Sequence, residues 1–196
     1  MKKSFVTIGV IALVAVVCIM WSVGIYNNLV SKDEGVKNNW AQVENQYQRR
    51  ADLIPNLVET VKGYAKHEQE TFQAVIEARS KATQTNINPE NLDEASLKKF
   101  ADAQGDLSQA LGKLMVVVEN YPQLKANENF MTLQAQLEGT ENRIAVERKR
   151  FNDAANDYNA YRRRFPNNLF AGMFGFESKA YFEAEKGAET APKVSF

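Results

Sequence analysis

The chain has 196 residues, with 24 Lys and Arg against 24 Asp and Glu, and it contains one cysteine and one histidine. This length suits one domain plus an anchor, and the balanced charge argues against a general nucleic-acid binder, whose basic surface would show in the total. The single cysteine excludes a disulfide framework within the chain and, with the single histidine, a zinc site built only from these two residue types.

An uncharged apolar run opens the chain. From Phe5 to Tyr26 the sequence reads FVTIGVIALVAVVCIMWSVGIY, and as a helix it would span roughly 33 Å, enough to cross the hydrocarbon core of a bilayer. Trp21 and Tyr26 lie toward one end, where aromatic rings favour the interface. A cleaved signal peptide or a lipid-modified Cys18 is the alternative, but the run lacks a small-residue cleavage site. We predict that residues 1–26 form a tail and one transmembrane anchor in contact with lipid.

The charges that flank this run bear on its orientation. Lys2 and Lys3 precede it, whereas Lys32 and Lys37 follow it. The positive-inside count is therefore nearly even and tips only slightly toward a cytoplasmic N-terminus. We expect a membrane that is crossed once, with the rest of the chain outside the cytoplasm.

Helical periodicity dominates after the anchor. Apolar residues at alternating spacings of four and three form a seam that continues to Tyr64. The seam begins with Val36, Trp40, Val43 and Tyr47. This spacing predicts one long helix from Tyr26 to about Gln84, with a kink or break at Pro55 because proline removes a backbone donor.

Two more helices complete the predicted bundle. Asn88 and Pro89 are expected to cap and start a helix that runs to Tyr121. Asn127 is expected to cap another helix, which ends at Phe165 after three arginines suited to the negative end of the helix dipole.

The predicted fold is all-α. An antiparallel, four-helix-like bundle with a long kinked first helix is expected over residues 27–165, after the transmembrane helix. Residues 166–196 are too apolar for a free linker, and we predict that they pack on the bundle, with a short helix from about Ser178 to Gly187. Docking of this tail on a partner or on the membrane surface is the alternative.

The usual catalytic constellations are missing from the sequence. His67 is the sole histidine and is expected on a solvated helix surface, and no nucleophile elbow, P-loop or dinucleotide fingerprint occurs. We therefore expect no catalytic residue, no cofactor, no metal and no enzymatic activity. A carboxylate-based enzyme or metal site inside the bundle is the competing hypothesis.

Two polar segments are candidates for a structural or partner-binding site. In the first, Arg50 lies on the apolar seam, where it either reaches water or joins a network that supports the kink. This segment also includes Asp52, Pro55 and Asn56. The second is a turn rich in hydrogen-bonding groups, which includes Tyr121, Pro122, Lys125 and Asn127.

Predicted helix lengths place these two segments side by side. A first helix from Tyr26 to Gln84 would be roughly 87 Å long, whereas the return helix would be only about 50 Å and would end opposite Asp52. Residues 26–49 would then lack a partner helix from their own chain. We therefore predict a homo-oligomer held partly by the seam, unless the helix breaks at Pro55 or the tail covers this stretch. The seam residues concerned are Val36, Trp40, Val43 and Tyr47.

Several motifs together resemble one known family. The chain contains, in this order, RRADLIPNLV, VKGYAKHE, EARSKA, ENYPQLKANENF, LEGTENRIAVERKRFNDA and FPNNLFAGMFGF. From about Tyr26 to Phe196 these motifs are similar to the LemA family. The resemblance implies an antiparallel helical bundle anchored in a bacterial cytoplasmic membrane, and it implies no established enzymatic activity.

The resemblance also shapes the expected function. We expect a non-enzymatic interaction or scaffold module of the bacterial envelope, which binds itself or other envelope proteins. An accessory factor of a membrane metalloprotease or of membrane remodelling is the alternative, with the protease as its partner. No residue role is carried over, because the family has no established active site.

Overall fold

The computed structural model describes residues 2–183, with side chains described from Thr7 onward. Within this range the chain is all-α and contains no strand, as the periodicity predicted. The helices are α1 (Lys2–Lys62), α2 (Gln69–Gln84), α3 (Glu94–Val118), α4 (Pro122–Lys125), α5 (Glu128–Arg163) and α6 (Asn167–Met173).

Helix α1 contains both the apolar N-terminal part of the chain and the first helix of the bundle. Its 61 residues run without interruption over about 92 Å. The apolar N-terminal part is long and apolar enough to cross a membrane, and nearly all of its described side chains are exposed. We call the end of the bundle next to this part proximal and the opposite end distal.

The first soluble helix differs from its prediction. The helix does not break at Pro55 but continues to Lys62, and the break comes in the turn over residues 63–68. In that turn the backbone N–H of Tyr64 and of Ala65 donates to the Val61 carbonyl, and Ala65 is buried in the core. The predicted single helix from Tyr26 to Gln84 is therefore wrong, because the chain reverses at Gly63 and α2 returns along α1.

Four helices form the bundle: α1, α2, α3 and α5. Helix α5 is antiparallel to α1 along most of the bundle, from the Lys32–Asp157 ion pair to the Tyr64–Asn127 hydrogen bond. Helix α2 packs between α1 and α3 and is antiparallel to both. The predicted antiparallel, four-helix-like arrangement is confirmed.

Helix starts follow their capping residues, and one cap was predicted at the wrong residue. Helix α3 begins at Glu94, where the Asp93 side chain accepts from the Ser96 N–H, and not at Pro89. Asn88 instead accepts from the Glu90 N–H within the connection that precedes α3. For α5 the prediction is confirmed, because the Asn127 side chain accepts from the Phe130 N–H.

The buried side chains form two main clusters, which we name the proximal core and the distal core. The proximal core is rich in aromatic residues and contains Val36, Trp40, Val43, Tyr47, Ile87, Leu92, Leu97, Phe100, Ile144, Phe151, Ala155, Tyr158 and Phe182. The distal core is mostly aliphatic and contains Ile54, Leu57, Val58, Val61, Ala65, Phe72, Val75, Ala82, Leu107, Ala110, Leu114, Val118, Leu124 and Phe130. Along α1, the buried Arg50 lies between the two.

The chain after α5 packs on the bundle as far as it is described. Residues 176–183, which we call the C-terminal segment, form neither helix nor strand. The helix predicted from Ser178 is therefore wrong over residues 178–183, and residues 184–187 lie outside the described range. Two asparagines of α5 supply the hydrogen bonds that a neighbouring strand would otherwise make to this segment. Asn159 exchanges two hydrogen bonds with the backbone of Lys179, and Asn152 does the same with Phe182. These side chains satisfy backbone groups that a helix would satisfy internally.

Candidate functional site

The Arg50 side chain is the centre of a buried polar group, which we call the Arg50 centre. It is 2% exposed, and its Nη1 donates to Glu141 Oε2 at 2.9 Å and to Ser108 Oγ at 3.0 Å. Its Nη2 donates to Gln104 Oε1 at 2.7 Å and to the Gln104 carbonyl at 3.3 Å. Because Glu141 lies on α5 and the other two partners lie on α3, one guanidinium joins three helices.

The remaining contacts of the Arg50 centre are with its own helix and with α2. The guanidinium carbon lies 5.1 Å from the centroid of the Tyr47 ring, a cation–π distance. Gln104 Nε2 donates to the Ala82 carbonyl of α2. Arg50 Nε is buried without a hydrogen-bond partner. The centre therefore contacts all four helices of the bundle.

Asp52 and Asn56 lie outside the Arg50 centre. Asp52 is exposed and accepts from Gln48 Nε2 at 2.8 Å, one turn earlier on the same helix. Asn56 is also exposed, and its carbonyl accepts from Thr60 Oγ1. The interpretation of Arg50, Asp52 and Asn56 as one network is wrong, because residues two and six apart on a helix face different directions.

Pro55 is accommodated by an arginine from α2. Proline lacks the N–H that would donate to the carbonyl four residues earlier, which is that of Ala51. Arg79 Nε donates to this carbonyl at 2.7 Å. The side chain of another helix thus replaces the missing backbone donor, and α1 continues through the proline.

The turn over Tyr121–Asn127 lies beside the turn over residues 63–68. Asn127 Nδ2 donates to Tyr64 Oη at 3.0 Å, and the Tyr121 hydroxyl donates to Glu68 Oε1 at 3.4 Å. Pro122 starts α4, and Lys125 pairs with Glu119. The predicted placement of this turn beside Arg50–Asn56 is wrong, because α1 ends at Lys62 and brings its own C-terminal turn there instead.

The apolar seam of α1 is buried within one chain. Val36, Trp40 and Val43 have no exposed area, and Tyr47 is 6% exposed. The Trp40 ring lies 5.1 Å from that of Phe100, and rings of α5 and of the C-terminal segment also contact it. The expected unpartnered stalk is therefore wrong, since α5 and residues 176–183 cover it, and these four residues are not a surface for self-association.

A second buried ionic group was not predicted; we call it the Asp33 centre. Lys179 is 7% exposed, and its Nζ lies 2.8 Å from Asp33 Oδ1. Lys37 Nζ lies 3.0 Å from Asp33 Oδ2, and it also pairs with Glu34 and Glu90. The i,i+4 spacing of Asp33 and Lys37 was visible in the sequence. The lysine from the C-terminal segment was not, because nothing local marks a lysine whose partner lies far along the chain.

Protonation in the proximal half follows from these contacts. Burial by itself would raise the pKa of Asp33, but hydrogen bonds and charges from Lys179 and Lys37 outweigh it and lower that pKa below its ordinary value. Burial, together with the charge of Asp33, raises the pKa of Tyr158 to about 12. The Tyr158 hydroxyl therefore stays protonated and donates to the Glu177 carbonyl at 2.7 Å.

Glu44 lies beside the seam at the edge of a polar groove. Burial raises the pKa of Glu44, and the nearby indole N–H of Trp40 acts in the opposite direction. This N–H has no partner of hydrogen-bond geometry, so the carboxylate is near it without a formed hydrogen bond. The adjoining groove, of about 240 Å³, is lined by Glu44, Asn45, Tyr47, Gln48, Ala51, Ala82, Thr83, Thr85, Asn86, Phe100 and Gln104.

The described side chains offer little to a metal ion. Within residues 7–183 no three His, Cys, Asp or Glu side chains are grouped so that they could hold one. His67 is exposed, as predicted, but it lies in the turn after α1 and not on a helix. The buried charged groups that do converge, in the Arg50 and Asp33 centres, are of opposite sign and neutralise each other.

Comparison with known proteins gives one family match. The sequence model of the LemA family matches residues 39–196. The chain is 28% identical over 182 residues to two magnetosome proteins MamQ of Paramagnetospirillum magneticum, an alignment that covers 84% of this chain and 67% of theirs. It is 24% identical over 164 residues to Protein LemA of Metamycoplasma hominis, with 84% of this chain and 71% of that protein covered.

Proposed function

We propose that this chain, which belongs to the LemA family, is a single-pass protein of the bacterial cytoplasmic membrane whose bundle serves as a non-enzymatic interaction or scaffold module. The continuity of α1 carries this proposal. One unbroken helix leads from the apolar anchor into the centre of both cores. A helix without a flexible joint couples the position and orientation of the bundle to those of the anchor, so the bundle is held in a fixed orientation relative to the membrane.

The dimensions of α1 support a scaffold that works at a set distance. From Tyr26 to Lys62 the helix rises about 54 Å, so the distal turns would lie at that height above the membrane boundary. The Lys32–Asp157 and Arg50–Glu141 pairs attach α5 to α1 along the way. The module would thus present Tyr64, Tyr121 and Lys125 to a partner in the envelope.

The use of the buried charges supports a non-enzymatic role. Arg50 is engaged with Glu141 and Gln104, and Lys179 is engaged with Asp33. Groups whose hydrogen bonds join helices are committed to the fold and are not presented to a substrate.

We also propose that the chain forms homo-oligomers through a surface other than the buried seam.

The bundle is proposed to lie on the extracytoplasmic side. Lys2 and Lys3 precede the anchor and favour a cytoplasmic N-terminus under the positive-inside rule. Lys32 and Lys37 beyond the anchor count less against this orientation, because both are paired with acidic side chains. A membrane-impermeant maleimide tests this side with Lys125→Cys in a Cys18→Ala background. Spheroplasts should label before lysis if the proposal holds, and labelling only after lysis would place the bundle in the cytoplasm.

Photocrosslinking in native membranes tests the interaction role. A photoreactive amino acid at Tyr64 or Lys125 should give a discrete crosslinked protein, identified by mass spectrometry as an envelope protein or a second copy. The matched control is the same amino acid at Lys149, an exposed site on the side of α5. The absence of any protein crosslink at the distal positions, or equal and nonspecific crosslinks at all three, would overturn the interaction role.

A flexible insertion tests the scaffold. A Gly-Gly-Ser insertion between Asn27 and Asn28 interrupts α1 at the junction of anchor and bundle and leaves the proximal and distal cores intact. It also separates Ile25 from Leu29, on which α6 packs. The distal crosslink should then weaken, because the bundle no longer stands at a fixed height. An unchanged crosslink would mean that the rigid junction has no role in the interaction.

A further inference from the structure

The outer face of α6 is apolar. Asn167 and Ala171, one turn apart, face the bundle and are buried. Leu169 and Met173, also one turn apart, point the opposite way and are 58% and 71% exposed. An amphipathic helix in water turns its polar face outward, so this helix has the orientation expected of one that faces an apolar medium.

The apolar surface extends beyond the helix itself. Phe165 precedes α6 and is 82% exposed, and Phe174 follows it and is 52% exposed. We call Phe165, Leu169, Met173 and Phe174 the α6 patch. A contiguous set of large exposed apolar side chains marks an interaction surface, because isolated ones are common but clusters are not.

The position of the α6 patch along α1 identifies what covers it. The buried side of α6 packs on α1 at Ile25 and Leu29. Tyr26 ends the apolar run, and its ring lies 5.1 Å from the Phe174 ring in an edge-to-face contact. The patch is therefore level with the point at which α1 leaves the hydrocarbon, where aromatic side chains are favoured.

The charges around the α6 patch agree with this position. Residues 158–176 contain three arginines, Arg162, Arg163 and Arg164, and no acidic residue. Arg163 and Arg164 are exposed. In the sequence, the carboxylates that flank this stretch are Asp157, which pairs with Lys32, and the exposed Glu177. Apolar side chains beside basic ones are typical of segments that lie in the interface of an anionic bilayer.

We propose that α6 is an interfacial helix, whose α6 patch lies in the headgroup region of the bilayer that α1 crosses. The bundle then has two attachments to the membrane, one spanning and one lying flat, and the second one fixes its tilt and rotation. The proposal rests on α1 crossing the bilayer, and the test includes a separate control for that premise.

Depth-dependent quenching tests the proposal on the full chain. The full-length protein is reconstituted in vesicles of phosphatidylcholine and phosphatidylglycerol. These vesicles contain lipids whose doxyl group lies either at a shallow or at a deep position in the bilayer. In a Cys18→Ala background, an environment-sensitive fluorophore is attached to Leu169→Cys or to Met173→Cys. Both side chains are exposed, so these variants should unfold in detergent at the temperature of the unsubstituted chain. Shallow doxyl lipid should quench both labels several-fold more than deep doxyl lipid.

Labels at two control positions show whether quenching at α6 is specific and whether α1 crosses the bilayer. Val116→Cys is an apolar site that is 67% exposed on α3, near the distal end, and its label should not be quenched by either lipid. A label on the native Cys18, within the span, should be quenched by deep doxyl lipid. Unquenched labels at residues 169 and 173 together with a quenched Cys18 label would overturn the proposal while leaving the anchor intact. Energy transfer between unquenched labels on different copies would show that a second copy covers the patch, which also overturns it.

Discussion

The two cores of the bundle are closed in different ways. The distal core is completed by helices and the turn between α1 and α2, with mostly aliphatic side chains from α1, α2, α3 and α4 and with Phe130 from the start of α5. The proximal core includes Phe182 from the irregular C-terminal segment, and its Trp40 ring contacts Phe100, Phe151 and Phe182. Regular helix packing is sufficient where four helices run side by side, and an irregular segment is needed where they do not.

The positions at which α2 ends and α3 begins explain why the two cores are closed differently. The Lys37–Glu90 ion pair places the connection between α2 and α3 level with Lys37. Toward the apolar N-terminal part of α1, the partners of this helix are therefore α5, α6 and the segment up to residue 183. That segment is held mostly by side chains, through Asn152, Asn159 and Asp33. It also makes one backbone hydrogen bond to the connection before α3, from the Ala180 N–H to the Leu92 carbonyl.

The largest expected effect comes from truncating the centre of the proximal core. Trp40→Ala should destabilise the chain by about 3–5 kcal/mol, because it removes a fully buried indole against which three rings pack. Thermal unfolding in detergent gives the loss of stability, and hydrogen exchange shows where it acts. Amides around Val43 should exchange faster, and those around Leu57 should keep their protection. Equal loss of protection in both regions would show that the two cores open as one unit.

The next effect concerns the Arg50 centre between the cores. Glu141→Gln should cost about 3 kcal/mol, because it leaves a buried guanidinium without a carboxylate. Arg50→Met should cost less, since the Glu141 side chain is 55% exposed and can return to water. Thermal unfolding of both variants measures the asymmetry. A larger loss for Arg50→Met would mean that packing on Tyr47 and the bonds to Gln104, and not the ion pair, dominate this centre.

The Asp33 centre should give the proximal half an acid-dependent stability. Asp33 has a lowered pKa in the folded chain, so its contribution is fully present above its unfolded pKa of about 3.9 and is lost as the pH falls through the folded pKa. Asp33→Asn should cost about 2 kcal/mol at neutral pH and flatten the acid side of a stability–pH curve. Asp157→Asn is the control, because its ion pair with Lys32 is exposed and should contribute ~1 kcal/mol or less. Equal effects of the two variants would contradict a special role for Asp33.

The smallest expected effect lies at the proline of α1. Arg79→Met should cost about 1 kcal/mol, because the Ala51 carbonyl loses its donor. In a Pro55→Ala background the same substitution should cost less, since the alanine N–H supplies the donor. A double-mutant cycle of thermal unfolding measures this coupling. Additive effects would mean that Arg79 does not compensate for the proline.

Local pattern predicted the helical elements well and the turns less well. The apolar spacing of α1 and the Asn127 cap depend on neighbours within one or two turns, and the structure confirms both, whereas α5 ends at Arg163, two residues before the predicted Phe165. The start of α3 and the end of α1 were misplaced. The start of α3 lies among several competing signals, Asn88, Pro89 and Asp93, and only packing selects among them.

The sequence by itself determined an all-α chain with one apolar segment suited to a membrane and a seam suited to a core, because hydrophobic periodicity is a local property. Tertiary structure alone decided the partners of that seam and of the buried charges. Arg50 meets Glu141, Arg79 meets the Ala51 carbonyl, and Lys179 meets Asp33. These pairs are far apart in the sequence, and each forms because a buried polar group must find a partner once the chain has reversed direction.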